Sequence, residues 1–208
     1  MRERCEAISC IHREPRIEES QRLDMIEAET VILAAPVNKR DHTMGPTNAR
    51  VTVVNYGDYQ CPGCQKRHRS TEKMARELLD RVRLVHRHFP LVKSHPRALR
   101  AAEAAEAAAA QGKFWEMHRL LYLRPDKLGD RDLHRYGNEV GLDLERFDHE
   151  MASGIYADQI LKDFNFSLNH GITGTPTTFI NGVRYALSGV DLVATVKAIA
   201  EEQRVVEQ

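Results

Sequence analysis

The chain has no excess of charge of either sign: 30 Lys and Arg balance 30 Asp and Glu. A balanced chain sets up no overall field toward a nucleic-acid backbone or an anionic membrane surface, so neither partner is expected. It also lacks any apolar run near the ~18 residues that a membrane span requires. There is no internal repeat and no long low-complexity tract, which argues against solenoids and arrays. The first residues, Met1-Arg2-Glu3-Arg4-Cys5-Glu6, contain no apolar h-region. No secretory signal is read there, and a cytoplasmic protein is expected. Cysteine is scarce, at four residues. In a reducing compartment a close cysteine pair points to catalysis or metal binding rather than to a structural bridge. The 208 residues allow one large domain, or one domain with an insertion or tail, that buries its core without staples.

Against these absences one stretch carries the chemistry: Tyr56-Gly57-Asp58-Tyr59-Gln60-Cys61-Pro62-Gly63-Cys64. A β-type run, Val51 to Asn55, enters it, and a helix-like run, Gln65 to Leu79, leaves it. A C-x-x-C after a strand and at the opening of a helix reads as a thiol–disulfide redox motif. At a helix N-terminus unpaired N–H groups and the positive dipole end favour thiolate over thiol. Pro62 suits the first turn, where its missing N–H is not needed. Gly63 brings no side chain to crowd the sulfurs. Cys64 stands almost one turn on, within reach of Cys61. Cys61 is therefore read as the attacking, more exposed sulfur and Cys64 as the resolving one. Asp58 offers either a proton acceptor or a turn residue, and the turn is the preferred reading. Lys66, Arg67, His68 and Arg69 either add positive potential near Cys61 or form a solvated helix face.

The rest of the chain arranges itself around this motif. Residues 1–40 are a charged tail, with a polar helix over Arg16–Glu29 or none, and a short leading strand over Glu29–Ala34. Cys5, Cys10 and His12 lie close together, but no fourth zinc ligand is near, so they read as free thiols in that tail. Asp41 to Asn48, with Gly45-Pro46, reads as a turn-rich linker. Val82 to Phe89 is a second strand, ended by Pro90. His86, His88 and His95 are read as strand, turn and surface residues rather than catalytic ones. Residues 95–170 form a helical block. It opens with an alanine-rich helix, Arg97–Gln111, closed by Gly112. Then come Phe114–Tyr122 with Trp115 as core, a helix capped by Asp130 through Val140, one capped by Asp143 through Met151 and ended by Gly154, and Ile155–His170 with Ile160, Phe164 and Leu168 on one stripe. Thr177–Ile180 and Val183–Leu187 are strands joined by Asn181-Gly182, a type I′ hairpin signal. Gly189 and Asp191 open a last helix, Leu192–Gln203, and 204–208 form a tail.

Together these pieces resemble the DsbA-like family of the thioredoxin fold. The resemblance is strongest to the cytoplasmic DsbA-like domains attached to some bacterial sodium/proton antiporters. It rests on the motif above, on Arg87-His88-Phe89-Pro90-Leu91, Ala101-Ala102-Glu103-Ala104-Ala105, Gly112-Lys113-Phe114-Trp115-Glu116-Met117-His118, Gly174-Thr175-Pro176-Thr177 and Phe179-Ile180-Asn181-Gly182. It covers residues 40–203.

The resemblance implies an α/β fold, a thioredoxin domain over 41–203 with an all-helical insertion at 95–170. It implies protein thiol–disulfide oxidoreductase activity through a Cys61/Cys64 redox-active centre, with no cofactor and no metal. Thr175 and a cis Pro176 would lie beside the cysteines and bind substrate. Thr175 replaces the valine of some DsbA enzymes and is similar to the disulfide isomerases. The dipeptide Pro62-Gly63 differs from the Pro-His pair of strongly oxidising members, so an isomerase or reductase is expected before a strong oxidase. Partners would be protein or small-molecule disulfides and dithiols, glutathione among them; the oligomeric state is left open. Two other readings are carried: a non-redox, chaperone-like peptide-binding module, and a kappa-type glutathione-transferase-like enzyme. The second cysteine argues against both.

Overall fold

Val51–Val54 is an unbroken run of β-branched residues, and its three valines are buried at the centre of a five-stranded sheet. In the computed structural model, residues 31–186 and 191–206 are described. The strands are β1 (His42–Met44), β2 (Val51–Gly57), β3 (Val82–His88), β4 (Thr177–Ile180) and β5 (Val183–Tyr185). They lie in the order β1-β3-β2-β4-β5. The helices are α1 (Pro62–Leu78), α2 (Ala98–Ala109), α3 (Phe114–Leu123), α4 (Asp130–Glu139), α5 (Leu144–Ser153), α6 (Ala157–Asn169) and α7 (Leu192–Val206). β2 runs parallel to β3 through the α1 crossover, and the β2–β4, β4–β5 and β1–β3 pairs are antiparallel. None of the helices in the described residues is long and apolar enough to cross a membrane. The expected helix over Arg16–Glu29, the Cys5, Cys10 and His12 group, and Gly189 lie outside the described residues.

The two sheet faces bury different sets of residues. Val51, Val53, Val82 and Leu84 meet Met74 and Leu78 of α1 and Leu192, Val196 and Ile199 of α7. On the other face Val54, Tyr56, Val85, Phe89 and Phe179 meet Ile172, with Phe164 of α6 packed against them. The helical block has its own core around α2, whose Ala101, Ala102, Ala104, Ala105, Ala107 and Ala108 are all buried. Methyl side chains let the other helices approach α2 on several sides, and Met117, Leu121, Leu133, Tyr136 and Phe147 fill the space between them.

Most element positions follow the local signals. Asn181 and Gly182 adopt φ of 49° and 84°, the left-handed pair that a type I′ hairpin demands. Asp143 caps α5 by accepting from the Arg146 N–H, and Gly154 ends it in the left-handed region. Five expectations need correction. Asp41–Asn48 is not merely a linker: His42–Met44 pairs with β3 as an edge strand, drawn in by a ladder that no local pattern announces. Gly129, not Asp130, is the N-cap of α4, and Asp130 instead binds the Arg100 guanidinium at 2.8 Å. Leu168 leaves its predicted stripe and is 43% exposed, because α6 packs mainly through Ile160 and Phe164. Trp115 is only half-buried, and its indole N–H donates to the Thr43 carbonyl at 3.2 Å. Of the leading strand expected over Glu29–Ala34, the described residues show one bridge, between Ile32 and Val183.

The stretch before β1 is tied down by one side chain. Arg87 donates to both Asp41 carboxylate oxygens, at 2.7 and 2.9 Å, and to the Ala35 carbonyl and Tyr56 hydroxyl, each at 2.8 Å. The two charged side chains are only 12% and 8% exposed. Removing one partner of a buried pair strands the other charge, at a cost of about 3–5 kcal/mol. Arg87→Met is therefore expected to lower the unfolding free energy by about 3 kcal/mol in urea titrations. A loss well under ~1 kcal/mol, the usual worth of an exposed pair, would mean that water already screens this one.

Candidate dithiol site

β2 ends at Gly57, which sits where a Cβ would collide with the Tyr122 hydroxyl and the His86 ring. The chain then turns through Asp58, Tyr59 and Gln60 into α1. Asp58 is 2% exposed. One of its carboxylate oxygens accepts from the Gln60 N–H at 2.7 Å. The other accepts from the Leu91 N–H and faces His95 Nδ1, both at 2.8 Å. The turn reading of Asp58 thus describes its geometry, and His95 reaches the same carboxylate from across the fold rather than standing free on the surface. Gln60 Oε1 accepts from the Arg97 N–H at 2.6 Å, fastening the same turn to the start of the helical block.

Cys61 is the N-cap residue of α1, with Pro62 at the first helical position. Both cysteines are free thiols and buried, Cys61 at 8% exposure and Cys64 at 2%. The Cys61 thiol points to the Thr175 carbonyl at 3.4 Å, and the Asp58 N–H points to Cys64 Sγ at 3.5 Å. Their environments drive the two sulfurs apart. The Cys64 thiol donates to Cys61, and this is the main reason the Cys61 pKa falls to about 5. Burial opposes the fall; Thr175 and the N–H groups of Cys64 and Gly63 support it. Cys64 is pushed far up, first by that same bond and then by burial. The two thiols thus differ sharply in acidity, Cys61 the more acidic.

Thr175-Pro176, a cis peptide, closes over the pair. A Cβ on Gly63 would lie 2.9 Å from Pro176 Cδ and 3.7 Å from Cys61 Sγ, so only glycine lets the two segments approach this closely. Thr175 Oγ1 is buried without a hydrogen-bond partner among the described residues. The basic run behaves unevenly: Lys66 and Arg69 face solvent, Arg67 is half-buried and His68 is buried. The structure thus brings together Cys61, Cys64, Pro62, Gly63, Thr175 and Pro176, with Asp58 beneath them.

Behind Cys64 lies a layer that the sequence did not disclose. Tyr59 shares a 3.0 Å hydrogen bond with His118 Nδ1. His68 stacks on Tyr122 with centroids 4.8 Å apart, and His86 meets His118 edge-on at 4.5 Å. Burial holds His86 and His118 neutral and pushes both tyrosines above their ordinary range. A cavity of about 30 Å³ bordered by Cys64, His68, His118 and Tyr122 has room for a water molecule. Only the period-two spacing of His86 and His88 hinted that these rings would share a sheet face; the helical histidines carried no signal.

Comparison with known proteins agrees with this architecture. The family model described as Thioredoxin matches residues 37–198. The Na(+)/H(+) antiporter NhaA 3 of Salinispora tropica is 47% identical over 157 residues, covering 74% of this chain and 24% of that protein. The chain thus spans about a quarter of the length of the curated relatives it matches. Among solved structures, alpha-DsbA1 of Wolbachia pipientis superposes with a TM-score of 0.70 at 21% identity, over 85% of this chain and 98% of that one. A thioredoxin-like oxidoreductase from Silicibacter pomeroyi DSS-3 reaches 0.67 at 26% identity, over 80% and 94%. A cysteine-headed helix, a neighbouring Thr-Pro segment and an inserted helical block thus coincide with a matching family and matching folds, and the chain belongs to the thioredoxin family as a DsbA-like domain with the fold of the thiol–disulfide oxidoreductases.

Proposed function

We propose that the chain is a protein thiol–disulfide oxidoreductase working through Cys61 and Cys64. The observation that carries this reading is the asymmetry of the pair, one sulfur lowered to about 5 and its neighbour raised by the same hydrogen bond. The Cys61 thiolate attacks one sulfur of a substrate disulfide. A Cys61–substrate disulfide forms, and the departing sulfur leaves as a thiolate that takes a proton from water. Cys64 then loses its proton and attacks the Cys61 sulfur, releasing the second substrate thiolate. Two electrons pass to the substrate, and the Cys61–Cys64 disulfide remains. The reverse sequence donates a disulfide.

Thr175 and Pro176 flank the reacting sulfur and form the floor on which a substrate strand lies. The buried Thr175 hydroxyl, close enough to favour the Cys61 thiolate, supplies a hydrogen-bonding group there. Asp58 acts as a positioning residue: its carboxylate holds the turn and its N–H meets Cys64 Sγ. The water-sized cavity offers the Cys64 proton a way out that does not need Asp58 as acceptor.

A Cys61 value near 5 falls between the ~7 of thioredoxin and the ~3.5 of DsbA. Stabilising the reduced thiolate makes a disulfide more oxidising, so the potential should lie between about −270 and about −120 mV. A value near the ~−180 mV of protein disulfide isomerase or below would make it an isomerase or reductant, and one near ~−120 mV a strong oxidase; the Pro62-Gly63 pair favours the first. Titration in glutathione buffers, quenched by alkylation and read by peptide mass at Cys61 and Cys64, tests this. Failure of a Cys61–Cys64 disulfide to form at any poise would remove the exchange reaction and leave a peptide-binding module.

A further inference from the structure

A second group of side chains stands apart from the cysteines, at the seam between sheet and helical block. His42 comes from β1, His88 from β3 and Glu106 from α2. One nitrogen from each imidazole and one carboxylate oxygen lie within 4.8 Å of one another. His42 Nε2 is 2.8 Å from Glu106 Oε1. His88 Nε2 is 3.0 Å from the same oxygen, but out of line for a hydrogen bond; with its side chain only 7% exposed, this nitrogen is buried without a hydrogen-bond partner among the described residues. The other ring nitrogen, Nδ1, is also buried without a hydrogen-bond partner among the described residues, so His88 has hydrogen-bonding capacity that a bound ion and its water would use.

The group is not sealed. His42, His88 and Glu106 line a cavity of about 270 Å³ whose other walls include Tyr156, Gln159 and Asp163. Two imidazoles and one carboxylate converging from three elements, with one side open to a water-sized space or larger, is the donor set of an open transition-metal centre. The spacing also fits. Zinc–ligand bonds of about 2.0–2.2 Å put tetrahedral donors roughly 3.3 Å apart. The two contacts to Glu106 would open by up to about half an ångström, and the third donor pair, which lies within 4.8 Å, would draw together, for the three to close on an ion. His42 is positioned for this by its ring, which stacks on Phe114 with centroids 3.5 Å apart.

We propose that His42, His88 and Glu106 bind a divalent ion of the zinc class, with the remaining coordination position turned into the cavity and filled by water. This inference does not depend on the dithiol reading. A thiolate site at the cysteines is the competing way for this chain to bind zinc, and cobalt spectroscopy separates the two, because only thiolate ligands give intense sulfur-to-metal charge transfer.

The test is titration of the intact, reduced chain with Co²⁺ under inert atmosphere, followed by displacement with Zn²⁺. One equivalent should bind with the weak ligand-field bands of a nitrogen and oxygen site. His42→Gln and Glu106→Gln should each weaken binding by about 100-fold or more, since even outer partners of metal ligands are worth roughly 10–100-fold. A charge-transfer spectrum alone, binding unchanged in both variants, or no binding overturns the proposal. Should Glu106→Gln fail to fold, His42→Gln, on the three-residue edge strand, carries the same decision.

Discussion

Replacing Cys61 with serine should abolish disulfide exchange, leaving only the background rate of the uncatalysed reaction. The serine hydroxyl has nearly the volume of the thiol, so the N-cap geometry at the start of α1 survives. What disappears is a nucleophile that is ionised at neutral pH: the Cys61 pKa is about 5, whereas an alcohol remains protonated throughout. No other side chain at the site replaces it, because Cys64 is buried at 2% exposure, where burial also disfavours its thiolate. The measurement is turnover of a fluorescent protein or glutathione mixed disulfide, with the melting temperature as a control for folding. Retained turnover in a folded Cys61→Ser protein would shift the chemistry to Cys5 or Cys10. Loss of turnover with continued suppression of aggregation would reveal a binding function beside the redox one.

The second large effect is expected at Cys64, and two substitutions there separate its two roles. Both Cys64→Ala and Cys64→Ser should stop the reaction at the Cys61–substrate disulfide, because no resolving sulfur remains. The trapped species should accumulate to near stoichiometry and be visible by mass. The variants should differ in acidity. The bond from Cys64 is the largest cause of the low Cys61 pKa, and serine keeps an O–H donor that alanine lacks. Alkylation of Cys61 followed against pH should show a midpoint near 5 in the native protein, a modest rise in Cys64→Ser and a larger one in Cys64→Ala. Equal midpoints in all three would mean that the helix N-terminus alone sets the acidity. The same values determine stability. Cys61 has a folded pKa below its unfolded value of ~8.5, so its contribution to the reduced protein is complete above ~8.5 and is lost as pH falls toward about 5. Cys64 has the opposite shift, and its contribution is lost as pH rises above ~8.5. The reduced form should therefore gain stability on going from about pH 5 to ~8.5.

Much of the fold was legible because its signals are local. The β-branched run Val51–Val54, the cysteine pair at a helix start, Asp143 and Gly154 at the two ends of α5, and the Asn181-Gly182 hairpin each follow from the chemistry of a few adjacent residues. The errors also share one physical cause. β1 exists because β3 offers it a ladder, Asp130 lost the capping place because Arg100 claims its carboxylate, and Leu168 is exposed because of the way α6 sits on the sheet. None of these partners is near in sequence.

The division is sharpest among the ten histidines. The sequence alone determined the dithiol, its helix and its likeness to the DsbA-like domains, since Cys61 and Cys64 need only one helical turn to meet. It did not determine which imidazoles would be buried or what they would face. The antiparallel register that sets His42 opposite His86, the period-two pleat that puts His88 on the same face, and the docking of α2 that delivers Glu106 are all long-range choices. Each is made by packing whole elements against one another, a free energy shared among many distant contacts, and so only the tertiary structure could bring two histidines and a glutamate to one point.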